Sequence, residues 1–237
     1  VVCPYVDAYC CDNCRYSVIN DGVSVDIVVW YINTHTCFYM HSQCIKMEPL
    51  LTKNDLTMFY KYLDKATTYF EYGAGGSTYQ ANIRNNITKI YAVDSDSEWV
   101  NRLQQQIESD KLTLIYNDLN TIPNTYGHPG AYCTYIQKVN YSNQMRALTM
   151  DEQKQIDLVF IDGRFRVACC LKCFDIIEPG CIILFDDFLN RPEYHVVLNY
   201  YDIIDKTSDE RMVALRKKES ITTIPSEIIE RFETISI

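Results

Sequence analysis

From Asn54 onward the apolar positions fall at spacings of three and four, and Leu56, Phe59, Tyr60 and Leu63 predict a helix. Beyond it, short apolar runs alternate with helical patterns. Strands are predicted over 69–72, 89–94, 112–116, 156–162 and 181–186, and helices over 77–85, 97–109, 166–177 and 192–200. Pro179-Gly180 punctuates the chain between the third of these helices and the strand that follows it. Two runs, 201–205 and 211–216, flank the polar segment 206–210 and predict a closing antiparallel hairpin. Apolar strands each followed by a helix imply a parallel sheet covered on both faces. The expected fold is therefore α/β: a Rossmann-like, doubly wound, mostly parallel sheet with a C-terminal antiparallel hairpin. Right-handed crossovers place a ligand at the carboxyl edge of such a sheet, near the point where strand order reverses. The long gap over 120–155 contains Gly127, Pro129 and Gly130 and is a candidate lid.

The first 50 residues read differently. Six of the eleven cysteines lie here (Cys3, Cys10, Cys11, Cys14, Cys37 and Cys44). A Val- and Ile-rich run over 24–31, the polar residues 33–36 and a second apolar run over 37–40 predict a small hairpin. We take 1–50 as a small Cys-rich N-terminal extension and 51–237 as the Rossmann-like domain. With His35 and His41, the cysteines offer enough ligands for a structural zinc ion, although their spacing matches no standard finger; disulfides and free buried thiols are the alternatives. Cys169, Cys170 and Cys173 sit in a helical pattern, where cysteine packs as a small apolar residue. The chain starts Val1-Val2 and shows no secretory leader, so the expectations are a fragment of a longer protein and a reducing, cytoplasmic compartment, the host cytoplasm if the source is viral.

The strongest chemical signal is Glu71-Tyr72-Gly73-Ala74-Gly75-Gly76-Ser77-Thr78, a glycine cluster between a strand and a helix. Glycines there let a ligand approach the backbone closely. A dinucleotide turn wants a third glycine where Thr78 stands, which counts against a nicotinamide cofactor. Asp94 ends the next strand and can accept the two hydroxyls of a ribose, with Ser95 beside it and Trp99 five residues on. The alternatives are a tight turn that binds nothing and an acid that caps a helix. Glu71-x-Gly73-x-Gly75, followed by Asp94 and Trp99, resembles the cofactor motifs of class I S-adenosylmethionine-dependent methyltransferases. That resemblance implies S-adenosyl-L-methionine as cofactor. Glu71, Gly73, Ala74, Gly75 and Ser77 would hold its amino-acid end, Asp94 and Ser95 its ribose and Asp118 its adenine, with Asp162 close by.

Asp162 ends one predicted strand and Asp186-Asp187 the next. Neighbouring parallel strands lie about 4.8 Å apart, so these carboxylates converge and require a positive charge between them. The set resembles that of metal-dependent O-methyltransferases acting on catechols and sugars, which implies a divalent ion such as Mg2+ on Asp162, Asp186 and Asp187. Such an ion would acidify the acceptor hydroxyl. In the sugar enzymes a further acid stands two residues after the first, where this chain has Arg164. Asp187 and His195 are then the candidate catalytic groups, His195 as base. The other reading of the acids is structural: helix caps, or pairs with Arg164 and Arg166. The runs 161–169 and 187–194 also resemble methyltransferase-like proteins that accompany polysaccharide genes in bacteria and large DNA viruses.

Composition bounds the partners. Of 237 residues 47% are hydrophobic and 22% charged, which is globular. With 22 basic against 31 acidic residues the net charge is −9, and only Arg216-Lys217-Lys218 cluster, which argues against nucleic acid. No apolar run approaches membrane-spanning length. The expected activity is methyl transfer to a hydroxyl of a small-molecule or glycan acceptor, by a chain able to form a homo-oligomer. A non-catalytic module of a larger glycan-assembly protein is the alternative.

Overall fold

The computed structural model describes residues 14–20 and 25–31, both in backbone, together with 47–122 and 125–236. The chain divides into two compact units, Val1–Met47 and Glu48–Ile237. In the first, β1 (Cys14–Asn20) pairs antiparallel with β2 (Val25–Tyr31), Ser17 facing Val28 in the ladder. The hairpin thus forms with the segment before the Val-rich run, and the expected partner over 37–40 lies outside the described residues. So do Cys3, Cys10, Cys11, Cys37, Cys44, His35 and His41, the side chain of Cys14, and with them the zinc and disulfide readings.

The second unit is a seven-stranded sheet. Its strands are β3 (Thr68–Tyr72), β4 (Lys89–Asp94), β5 (Leu112–Tyr116), β6 (Leu158–Ile161), β7 (Ile182–Phe185), β8 (Tyr201–Lys206) and β9 (Val213–Lys217). They lie in the order β5-β4-β3-β6-β7-β9-β8. The first five run parallel, while β9 is antiparallel to both β7 and β8. From β3 the chain winds outward through β4 and β5, then returns to β6 on the other flank. The strand order therefore reverses at β3, where such folds bind ligands.

Period-2 alternation decides which side chains face which layer. Phe70, Tyr72, Val159, Ile161, Ile183, Phe185, Val213 and Leu215 point to one face. That face is covered by α4 (Tyr135–Ser142), α6 (Arg166–Cys173), a 3-10 segment (Pro192–Asn199) and residues of α7 (Ser226–Phe232). Tyr69, Leu158, Phe160, Leu184 and Ala214 point to the other, under α1 (Lys53–Leu63) and α2 (Gly76–Asn82). α3 (Ser97–Gln106) follows β4. Cys169, Cys170 and Cys173 are buried free thiols in the core, so they do pack as small apolar residues.

Two expectations change. The gap over 120–155 holds three helical segments, α4, a 3-10 turn (Met145–Ala147) and α5 (Met150–Gln155); Thr134 and Thr149 each cap a helix with a reciprocal side chain three residues on. The helices are short, and their apolar positions are too few to show a period. Helix α7 was unanticipated for the same reason. It is followed by Glu233, which pairs with Lys172 of α6 at 2.6 Å, both side chains buried.

Backbone meets backbone where β3 and β6 end. Gly73 has φ +100°, and a Cβ on it would sit 2.8 Å from the Gly163 nitrogen. A Cβ on Gly163 would in turn lie 2.2 Å from Tyr141 Oη and 2.9 Å from the Gly73 nitrogen. Gly76 is crowded from the segment that precedes α1, by the Glu48 carbonyl. Gly163→Ala is therefore expected to cost about 2 kcal/mol or more in urea denaturation, as overpacking between rigid elements does. A loss below about 0.5 kcal/mol would mean that the two turns separate easily.

Candidate active site

The glycine turn is braced from behind. Glu71 shares a face of β3 with Tyr69, so its carboxylate lies inside, under α2. It accepts hydrogen bonds from Tyr69 Oη at 2.8 Å, from Ser77 Oγ at 2.6 Å and from Thr78 Oγ1. The residue is fully buried, and burial pushes its pKa up to about 7 against the pull of the three hydroxyls. Glu71 and the Ser77 hydroxyl therefore hold the turn rather than face a ligand at its open side. Thr78, the residue that breaks the dinucleotide pattern, also receives the Gly75 N–H at 2.9 Å. Trp99 supports the turn from the β4 side: its indole N–H donates to the Ala74 carbonyl at 2.7 Å.

Asp94 stands half-buried at the end of β4. Its Oδ1 accepts the N–H groups of Ser95 at 2.7 Å and Asp96 at 2.9 Å, and the Ala74 N–H is directed at the same carboxylate. Burial raises its pKa to about 6 in spite of these donors. Ala74 and Asp94, twenty residues apart in sequence, are thus neighbours. Ser95 is buried and donates its hydroxyl to the Gly127 carbonyl at 3.1 Å. Asp118 is exposed beyond β5, where its carboxylate accepts Asn120 N–H at 2.7 Å and Gln137 Nε2 at 3.3 Å. The part of the 120–155 region that does cross the sheet edge is 125–130, tied to Ser95 on one side and to Arg164 on the other, whose Nε donates to the Tyr126 carbonyl at 3.1 Å.

The three strand-end acids do converge, and the positive charge they require is arginine. Arg166 is buried at the start of α6. It pairs with Asp162 at 2.8 Å and reaches Asp186 and Asp187 at 3.6 Å each. It also donates to the carbonyls of Asp162, Gly163 and Asp186 at 3.1, 3.0 and 2.8 Å. Asp187 is clamped between Arg191 at 3.0 Å and Arg211, one guanidinium on each carboxylate oxygen. Asp55 of α1, wholly buried, joins through Arg211 at 3.6 Å. Burial and the neighbouring Asp162 and Asp187 push the Asp186 pKa up to about 8.

A divalent ion on Asp162, Asp186 and Asp187 does not fit this donor set, because both Asp187 oxygens and one of Asp162 are committed to guanidiniums. Among the described residues no cluster of His, Cys, Asp and Glu is arranged to hold a metal. The pairing of Arg166 with these acids, read from sequence only as the alternative, is the arrangement present. His195 is also displaced from its expected role: its ring packs on Phe188 at 5.3 Å, and its buried Nε2 has no hydrogen-bond partner among the described residues. Asp187, doubly clamped, cannot act as a free base. Of the three acids, Asp162 keeps the most open face, with 30% of its side chain exposed. Asp55 and Arg211 carried no local signal, since only the fold brings α1 and the β8–β9 connection to this edge.

No protein-family model matches the sequence, and no curated protein matches it. Among solved structures the chain is similar to a methyltransferase-like protein from Silicibacter pomeroyi, with a TM-score of 0.68 and 22% identity over 80% of this chain and 98% of that one. An O-methyltransferase from Bacillus cereus in complex with SAH gives 0.47 at 12% identity, over 72% and 83% of the two chains. An RNA methyltransferase from Salinibacter ruber in complex with S-adenosyl-L-homocysteine gives 0.45 at 12%, over 75% and 97%. The chain has a Rossmann-like methyltransferase fold.

Two outcomes follow from these charges. Arg166→Met leaves three buried or half-buried acids without their shared partner and is expected to cost about 3–5 kcal/mol in denaturant titration; a loss under about 1 kcal/mol would show the network to be dispensable. The second concerns pH. Glu71, Asp94 and Asp186 all hold their protons more tightly folded than unfolded, with values near 7, 6 and 8 against 4.5, 3.8 and 3.8. Their contribution is complete below pH 4 and is lost as pH rises through 6 to 8. The thermal midpoint should therefore fall from pH 5.5 to pH 8.5, and Glu71→Gln should flatten the part of that fall near pH 7. A midpoint that rises over this range contradicts the assignment.

Proposed function

We propose that this chain is an S-adenosylmethionine-dependent methyltransferase whose acceptor is a hydroxyl of a sugar or glycan precursor. The observation that carries the cofactor is the Asp94 carboxylate, half-buried at the end of β4 beside the Ala74 N–H. A carboxylate in this place, next to a glycine turn at the strand-order reversal, is suited to the paired hydroxyls of a ribose. S-adenosylmethionine supplies, when bound, a methyl group on a positively charged sulfur. The chain's own part is to align and to exclude water. Glu71 and Trp99 fix the turn, Ser95 holds the 125–130 loop at the ribose end, and Asp162 offers its open face to the acceptor hydroxyl. Burial raises the Asp162 pKa, which makes its carboxylate a better proton acceptor than an exposed one. The sugar acceptor rests on the resemblance of 161–169 and 187–194 to methyltransferase-like proteins that accompany polysaccharide genes.

A second reading is a module that binds cofactor without transferring from it. The burial of His195 Nε2 and the double clamp on Asp187 favour it, since both remove a candidate base. Calorimetry with S-adenosylmethionine tests the cofactor site: Asp94→Ala is expected to weaken binding by about 1.5–3 kcal/mol, the worth of hydrogen bonds to a charged group. Equal affinity in wild type and variant would move the site elsewhere. Tight cofactor binding with no transfer of labelled methyl to any of a panel of nucleotide sugars would favour the second reading.

A further inference from the structure

We propose, on the strength of the cofactor reading, that residues 48–52 form a strap that positions the glycine turn for its ligand, with Glu48 and Tyr60 as positioning residues. The turn holds one glycine more than its ligand-facing role explains. Gly73 takes φ +100°, and a Cβ on Gly75 would meet nothing closer than the Trp99 ring at 3.9 Å. Gly76 has neither a left-handed backbone nor room. A Cβ on it would lie 2.5 Å from the Pro49 nitrogen and closer still to the Glu48 carbonyl, so the Glu48–Pro49 peptide rests directly on the Gly76 Cα. Backbone set against backbone in this way leaves no side chain that could adjust.

The strap is tied at both ends. Pro49 is buried while Glu48 and Leu50 on either side of it are exposed, so this stretch turns the proline inward. Leu51 N–H donates to the Pro49 carbonyl at 2.9 Å, which closes a tight turn. Tyr60 of α1 donates its hydroxyl to Glu48 Oε2 at 2.7 Å. The Arg84 guanidinium lies 4.6 Å from the centre of the Tyr60 ring, and it donates to the Gln80 carbonyl of α2 at 2.6 Å. This tether therefore ends on the helix that the glycine turn opens. At the other end Thr52 donates its hydroxyl to Asp55 Oδ2 at 2.6 Å, and Asp55 pairs with Arg211, one of the two clamps on Asp187. One short segment thus reaches from the glycine turn to the acid edge.

A turn that receives a ligand on its backbone binds best when it already has its bound shape, because ordering it at the moment of binding costs affinity. Glu71, Thr78 and Trp99 hold this turn through side chains, and the strap adds a contact through backbone at Gly76. A seated strap that favours the ligand is itself favoured by the ligand, by the same factor. Tyr60 reaches the turn through Glu48 and Arg84, so a change there acts on the strap and not on the ligand.

Calorimetry of the full chain with S-adenosylhomocysteine, together with hydrogen exchange read by mass spectrometry, tests the strap. Tyr60→Phe and Glu48→Ala should each weaken binding about three- to tenfold, and Gly76→Ala, which unseats the peptide directly, about tenfold or more. Glu48→Gln keeps an oxygen for the tyrosine and should recover most of the loss. Ligand should slow amide exchange in wild type over 50–55 as well as over 73–78. A contact that is only structural would lower the thermal midpoint of Tyr60→Phe and leave its affinity within about twofold of wild type. That result overturns the strap, as does exchange over 50–55 that ligand leaves unchanged. If Gly76→Ala does not fold, Tyr60→Phe and Glu48→Ala decide. If S-adenosylhomocysteine fails to bind wild type at about 1 mM, the cofactor reading falls and exchange without ligand judges the strap. Faster exchange over 73–78 in Tyr60→Phe then upholds it, and equal exchange rejects it as well.

Discussion

The buried guanidinium of Arg166 is the interaction on which this edge of the sheet depends. It holds three carbonyls at the ends of β6 and β7 together with the carboxylates of the same turns. A parallel sheet leaves its strand ends frayed, each with carbonyls that no neighbour receives. Here one planar fork with five donors closes two strand ends at once, a task a lysine could not do. Arg211 and Arg191 extend the closure to α1 and to the 3-10 segment, so elements far apart in sequence meet through charge as well as through apolar packing.

Such a network is a specificity device more than a source of stability. Moving four carboxyls and three guanidiniums out of water consumes most of what their attraction returns. What the arrangement secures is one registration of turns over the sheet edge. The acids at the strand ends therefore read differently in isolation and in context. Alone they resemble a metal cage; with Arg166 four residues after Asp162, they form the lining of a closed edge.

Much of this was legible in the chain. The β3-to-β7 strands, the glycine turn, the Asp94 position and the closing hairpin all follow from local runs and punctuation, because each element carries its own period. The convergence of Asp162, Asp186 and Asp187 was legible too, from strand ends alone. Their partners were not. Asp55 and Arg211 lie more than a hundred residues apart from one another and from no recognisable motif, and only topology brings them together. Glu71 shows another limit: the motif announces an acid, while the pleat decides that it faces α2. His195 sits in a helical stretch whose inward and outward faces the short 3-10 geometry does not reveal in advance. The helices within 120–155 escaped because capping boxes on Thr134 and Thr149, rather than apolar periodicity, mark where they begin.

The contact between Gly73 and Gly163 has a historical consequence. Each glycine fills the space that a side chain on the other would need, so neither position can drift unless its counterpart retreats first. Paired constraints of this kind freeze: a lineage that has packed two turns backbone to backbone cannot re-shape the floor of its site by single substitutions. Innovation is diverted to the segment that crosses above, where the Tyr126 side chain is 82% exposed. A chain built this way would diversify what it recognises through its roof while its floor stays ancestral.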